Sequence, residues 1–395
     1  MTTTLLCATL IDGRGGDPIP NAAIQIDGGT VTWAGPAARR TPPRDGAVID
    51  ATHLTVLPGL VNAHEHMGID VNPGQALQDY MGEPLEYLAM RAVKNARIAL
   101  RSGNTTIRDM AAKGRISAMV RRLIEERLVP GPRMFIAGRN IVRTGGYGWF
   151  IGRTADGAEA FRQAIRDEIR ENNVDHIKIM VTGGLAVKGS RVLQPEMRVE
   201  EVAAAVDEAH RLGRKVAAHA YGGEGVRDAI EAGVDSIEHG AYLSEADVRM
   251  MVQRGTYLVS TVGIFDTIAE DPLDSVIGER ARTAITNVRE ILGGAARSGL
   301  RVAVGTDPLH GRLHREVAFL VESGYSTVAA LRVASQGGAE LCGIGDRVGT
   351  LEAGKVADLI GVAGDVANDI ARLADVSLVM KDGGLEFGPN GVWGP

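Results

Sequence analysis

Six side chains suited to binding metal ions punctuate this 395-residue chain, and each lies in or at the end of a short apolar run. VNAHEH places His64 and His66 two residues apart. In an extended chain such residues share a face, so both imidazoles can reach one ion. A lone pair of this kind is common on protein surfaces and carries little alone. Lys178 stands inside the apolar run HIKIMVTGG, where lysine is seldom buried without a partner. Two readings are open for it. It can snorkel to the strand end or pair with a carboxylate, or its amine can combine with carbon dioxide. The resulting carbamate is an anionic, bidentate oxygen ligand able to bridge two cations. His219 closes KVAAHAYG, His239 closes SIEHG and Asp307 closes RVAVGTD. Two histidines, a bridging group, two further histidines and an aspartate form the donor set of a binuclear site for zinc or a similar divalent ion. That completeness favours the carbamate.

The elements that must position these residues are legible as alternating patterns. Eight apolar runs follow one another: LTVLPGLVNAH, TTIRD, MFIAG, HIKIMVTGG, KVAAHAYG, SIEHG, YLVSTVG and RVAVGTD. Between them lie helical patterns such as EYLAMRAVKNARIALRSG, ISAMVRRLIEERL and VEEVAAAVDEAHRLG, with apolar residues at i, i+3 and i+4. Alternating strands and helices predict βαβ units and a parallel sheet. Eight units over residues 58–345 predict an α/β fold, a closed (β/α)8 TIM barrel, whose active site forms at the C-terminal ends of the strands. An open doubly wound sheet is the alternative, but no Gly-rich dinucleotide fingerprint follows the first strand. Both chain ends read differently. Residues 1–57 and 346–395 are strand-and-turn segments with Gly and Pro punctuation, predicted to meet as one small β-sandwich.

Composition bounds the partners. With 43 basic and 49 acidic residues and 45% hydrophobic content, the chain reads as soluble and globular. No basic run points to nucleic acid or to an anionic membrane. No apolar run approaches the roughly 20 residues of a membrane span, and the N-terminus lacks the pattern of a secretory signal. The cytoplasm is the expected compartment. Cys7 and Cys342 then read as packing residues instead of a disulfide.

The motifs resemble the amidohydrolase superfamily over nearly the whole chain. LPGLVNAHEH is similar to its first-strand motif and TTIRD to its second-strand segment. LCGIGDRVGTLEAGKVADLIGV is similar to its return from barrel to sandwich. Mononuclear deaminases of that superfamily usually lack the bridging lysine, so HIKIMVTGG resembles the binuclear, carboxylated-lysine branch. IKIMVTGG, AAHAYG and SIEHG look most like the Xaa-Pro dipeptidase (prolidase-like) and related carboxypeptidase subgroup. The resemblance implies a metal-dependent hydrolase of amide or peptide bonds in small molecules such as dipeptides or N-acyl amino acids. His64, His66, Lys178 and Asp307 would hold one ion, and Lys178, His219 and His239 the other. A bridging hydroxide would attack the carbonyl, Asp307 would move the proton, and Tyr221 would donate to the oxyanion.

One departure concerns the substrate. Related peptidases carry a Thr-Gly-Gly-His-Gly segment after the third strand, whose histidine helps hold the substrate carboxylate. Here TGGYGWF puts Tyr147 in that place, with Trp149 close by, which points to a more apolar or aromatic pocket. Arg143 is a candidate carboxylate anchor, and His310, in the loop after Asp307, a candidate substrate or ligand-supporting contact. His53, His176, His210 and His314 read as structural or solvated. The same centre would also serve a lactonase or phosphotriesterase. A non-catalytic relative would be expected to have lost ligands. The outer helices of a barrel can support self-association, so a homo-oligomer is compatible with the pattern.

Overall fold

Hydrophobic alternation along the first segments gives half-buried strands. The computed structural model describes residues 2–41, 45–70, 82–185, 187, 190–270 and 275–388. The chain opens with β1 (Thr2–Leu10), β2 (Ile19–Asp27), β3 (Thr30–Pro36) and β4 (Gly46–Pro58). The β2–β3 turn is Gly28-Gly29, both at positive φ, as a tight hairpin matched to strand twist requires. After the barrel, β15 (Leu359–Ala363), β16 (Val376–Lys381) and β17 (Gly384–Phe387) return to the same sheet, ordered β17-β16-β15-β4-β1-β2-β3. Its core draws Leu5, Ile24 and Val56 from one chain end and Leu359, Leu378 and Met380 from the other. The sheet folds over on itself: Thr30 bridges Val356, and Ala357 N–H donates to the Gly29 carbonyl. The two ends thus form one β-sandwich.

The barrel strands are β5 (Leu60–Glu65), β6 (Asn104–Asp109), β7 (Arg133–Ile136), β10 (His176–Met180), β11 (Lys215–Gly222), β12 (Ser236–Tyr242), β13 (Tyr257–Ser260) and β14 (Val302–Val304). All pair in parallel within two ladders, and hydrogen bonds stitch the ladders into a ring. On one side Asp175 N–H donates to the Ile136 carbonyl at 2.9 Å; on the other Asp307 N–H donates to the His64 carbonyl at 2.9 Å. Two short strands, β8 (Ile141–Val142) and β9 (Arg153–Thr154), bracket the loop carrying Tyr147 and extend the sheet beside β10.

Helices α1 (Leu85–Arg101), α2 (Ile116–Glu125), α3 (Ala158–Asn172), α4 (Val199–Arg211), α5 (Gly223–Ala232), α6 (Glu245–Arg254), α7 (Val262–Ala269), α8 (Ser275–Ser298) and α9 (Leu313–Glu322) alternate with the later strands and cover them. The apolar stripe of α1 (Leu88, Ala92, Ala96 and Ala99) is buried against the barrel. Among the described residues, one sequence expectation needs correction. LTVLPGLVNAH is not a single barrel strand. Leu54–Pro58 pair with β15 in the sandwich, and only Leu60 onward enters the barrel. The break falls at Gly59, where a Cβ would lie 2.2 Å from the Thr105 hydroxyl; no larger residue could make that crossing.

Candidate metal centre

Each candidate ligand sits within a barrel strand or just beyond one. His64 lies in β5 and His66 directly follows it, Lys178 lies in β10, His219 in β11, His239 in β12, and Asp307 three residues past β14. Strand alternation alone would turn His239 away from the barrel axis, because its neighbour Glu238 faces inward. A left-handed backbone at His239 (φ 74°), and again at Asp307 (φ 54°), redirects both side chains. Non-glycine residues rarely adopt that region, and such strain concentrates at functional sites.

The side chains converge. Ligand atoms of His64, His66 and Asp307 all lie within 4.8 Å of one another. Asp307 Oδ1 stands 3.5 Å from His66 Nε2 and 3.8 Å from His64 Nε2. The His64 ring lies 4.9 Å from that of His239, which lies 4.7 Å from that of His219. Three of the four imidazoles have their Nδ1 occupied: His64 by Glu238 at 2.7 Å, His66 by the Ala111 carbonyl at 3.0 Å, and His239 by the Thr261 hydroxyl at 2.7 Å. Each Nε2 lone pair is thereby left for the centre. Lys178 is 2% exposed, and its Nζ has no hydrogen-bond partner among the described residues. An orphaned buried amine is costly, and its charge acts on all four imidazoles and on Asp307.

Electrostatics suit cation binding. Burial, reinforced by Lys178, pushes His64, His219 and His239 well below the ordinary imidazole range, and burial holds His66 down at about 4. Neutral imidazoles are the metal-binding form. Burial likewise lowers the Lys178 ammonium, against the pull of Glu238 and Asp307, and raises the Asp307 carboxyl, against the pull of Lys178. A neutral amine is the form that can attack carbon dioxide, its lone pair forming the N–C bond of a carbamate as a proton is released. The donor set and the orphaned amine together fit divalent cations.

Behind the ligands stand carboxylates beyond those expected from the sequence. Glu238 is fully buried; it accepts from His64 Nδ1, from Arg108 at 3.1 Å and from the Ser236 hydroxyl at 2.5 Å. Glu65, between His64 and His66, accepts from Asn62 at 2.8 Å, from the Thr306 hydroxyl at 3.0 Å and from His66 N–H at 3.1 Å. Glu316, held up at about 8 by burial, accepts two N–H groups at the start of α7, beside Thr261. The available signal was a charged residue inside an otherwise apolar strand, as in VNAHEH, TTIRD and SIEHG.

The remaining candidates divide. Tyr221 joins the cluster, stacked on His239 at 5.2 Å and edge-on to His219 at 5.1 Å. Tyr147 also joins, its ring 4.9 Å from His219 and 6.5 Å from Phe150, pressed over Gly184. Trp149 is 47% exposed on the outer part of that loop. Arg143 is turned to other partners, the Glu196 carbonyl at 3.1 Å and the carboxylates of Glu201 and Asp156. His310 is buried, with Nδ1 3.0 Å from Glu65, and Nε2 2.7 Å from the Ile69 carbonyl and 3.3 Å from Asp70. Burial alone would lower it, but the two carboxylates hold it up at about 10. His53 is exposed on β4, His210 pairs with Asp235 at the end of α4, and His314 begins α9. His176 is buried at the start of β10, with neither ring nitrogen hydrogen-bonded among the described residues. Cys7 is buried and Cys342 half-buried; both are free thiols.

Comparisons with known proteins agree with this geometry. Residues 55–385 match the family model described as Amidohydrolase family. Ochratoxinase from Aspergillus niger is 28% identical, with 99% of this chain and 88% of the relative covered. The crystal structure of a Xaa-Pro dipeptidase with methionine bound in its active site is similar at a TM-score of 0.88 and 30% identity, covering 98% of this chain and all of the other. A prolidase complexed with N-methylphosphonate-L-proline is similar at a TM-score of 0.90 and 27% identity, with the same coverage.

Proposed function

The chain belongs to the amidohydrolase family and is a hydrolytic enzyme acting on C–N bonds; from that footing we propose that it cleaves the amide bond of small N-acyl amino acids or dipeptides bearing an apolar or aromatic group, at a centre for two divalent ions, zinc foremost, bridged by carboxylated Lys178. The observation that carries the proposal is the buried amine of Lys178, without a hydrogen-bond partner among the described residues, amid four neutral imidazoles and Asp307. His64, His66 and Asp307 would hold one ion, His219 and His239 the other, and the Lys178 carbamate both. Such ions polarise a carbonyl and supply a nucleophile from water near neutral pH.

The chain's own residues do the rest. Asp307, within reach of His64 and His66 at the centre, accepts the proton of the attacking water at its carboxylate and delivers it to the leaving nitrogen. Burial holds the Tyr221 phenol well above its ordinary range, so it stays protonated and serves as a donor to the oxyanion. Tyr147 and Phe150 offer an aromatic wall beside His219, which favours an apolar or aromatic group on the substrate. Ochratoxinase and Xaa-Pro dipeptidase as relatives support amide cleavage with different side groups.

The test is a panel of N-acyl amino acids with aromatic and aliphatic groups, Xaa-Pro dipeptides, lactones and phosphotriesters, assayed before and after chelation. Hydrolysis of an aromatic amide that disappears on chelation and returns with zinc is the expected result. Turnover of lactones or phosphotriesters with no amide turnover would overturn it.

A further inference from the structure

The loop after β14 was singled out for His310, and the mechanism makes no use of that residue. We propose that His310 is a positioning residue: as buried counter-charge to Glu65, it fixes the carboxylate that sets the backbone of His66 and the corner leading into Asp307. The inference rests on the metal-centre reading, since it concerns how the chain shapes those ligands.

Glu65 is fully buried, and three donors converge on it. Asn62 and the Thr306 hydroxyl reach Oε2 at 2.8 and 3.0 Å, and His66 N–H reaches Oε1 at 3.1 Å. Asn62 in turn accepts from Thr306 N–H at 3.2 Å and from His64 N–H at 3.3 Å. One carboxylate and one amide therefore bind the main chain or flanking residue of all three groups that converge within 4.8 Å, namely His64, His66 and Asp307. An isolated carboxylate in that position would be strongly disfavoured. His310 supplies the opposing charge, with Nδ1 3.0 Å from Glu65 Oε1. Its other nitrogen holds the Ile69 carbonyl and Asp70, and Asp70 is tied to Lys94 at 3.0 Å and Asn95 at 2.8 Å on α1. His310 thus fastens the loop after the last barrel strand to the loop after the first, at the seam where the barrel closes. A glutamine at position 65 could not replace this arrangement, because its single carbonyl oxygen cannot serve three donors while its amide group faces one of them.

The test compares wild type, His310→Gln and the double variant Glu65→Gln/His310→Gln as full chains. The readouts are zinc bound per chain against a competing chelator, denaturant unfolding, and kcat and KM on an amide substrate. Loss of a ligand-supporting contact typically costs roughly 10- to 100-fold in metal affinity, and that loss is expected for His310→Gln, with kcat falling more than KM changes. The double variant removes both buried charges, so it should regain part of the stability lost in His310→Gln, while its zinc affinity stays low because a glutamine at position 65 cannot serve the three donors. If His310→Gln does not fold, the double variant decides alone: low zinc affinity in a folded chain supports positioning. Wild-type zinc affinity in either variant overturns it. A wild type that binds no divalent ion overturns the metal-centre reading and this inference together, whereas equal loading of wild type and His310→Gln overturns this inference alone.

Discussion

Tyr221 illustrates how far individual residues can be read. Its position two beyond His219 in KVAAHAYG predicts a shared face, and the phenol ring does pack against both His219 and His239. Replacing it by phenylalanine keeps that packing and removes only the hydroxyl. If the hydroxyl donates to the oxyanion, Tyr221→Phe should lower kcat on the order of 100-fold or more with KM little changed; steady-state kinetics on the best amide substrate check this, and an unchanged kcat would remove Tyr221 from the mechanism. The convergence of His64, His66, His239 and Asp307 was legible because ligand types at strand ends are rare in combination. Their supporting contacts were not. His64 meets Glu238 across 174 residues of sequence, a pairing that depends on barrel register and has no local signature. His310 shows the same limit in reverse. Its place after Asp307 suggested an open catalytic loop, yet two acidic residues from the first strand and its loop enclose it.

At the scale of elements, strand and helix alternation foretold the eight barrel strands, but not the places where two elements touch too closely for a side chain. Gly305 is such a place. A Cβ there would lie 2.4 Å from His64 Cβ and 2.5 Å from its backbone nitrogen, where the first and last strands close the ring. Gly305→Ala must push these strands apart, costing on the order of 1–3 kcal/mol or more, and should reduce zinc retention together with stability. Denaturant unfolding and metal analysis of the variant check both; normal zinc content would mean that the seam does not set the ligands. The loop around Tyr147 was equally hidden. Its bracketing strands β8 and β9 are only two residues each, too short for any periodicity, and exist because Ile141 finds Ile179 on β10.

For the whole molecule, the division we propose, residues 1–57 with 346–395 against 58–345, leaves two bodies with polar ties between them. Arg133 on β7 makes one: it pairs with Asp358 at 2.7 Å and also with Asp382, both from the sandwich side, and Asp358 is 2% exposed. Arg133→Ala strands a buried carboxylate, so unfolding free energy should fall by about 3 kcal/mol while kcat/KM of the folded enzyme is retained. A loss of activity larger than the loss of stability would show that the sandwich shapes the centre. The overall plan was visible because both chain ends carry strand patterns unlike the barrel's, whereas their union into a single folded-over sheet rests on pairings between β4 and β15 some 300 residues apart. What the protein holds at its centre is measured most directly by a crystal grown with zinc and mapped by anomalous scattering. Two peaks per chain, with added density on Lys178 Nζ between them, is the predicted result; one peak beside an unmodified amine would contradict it.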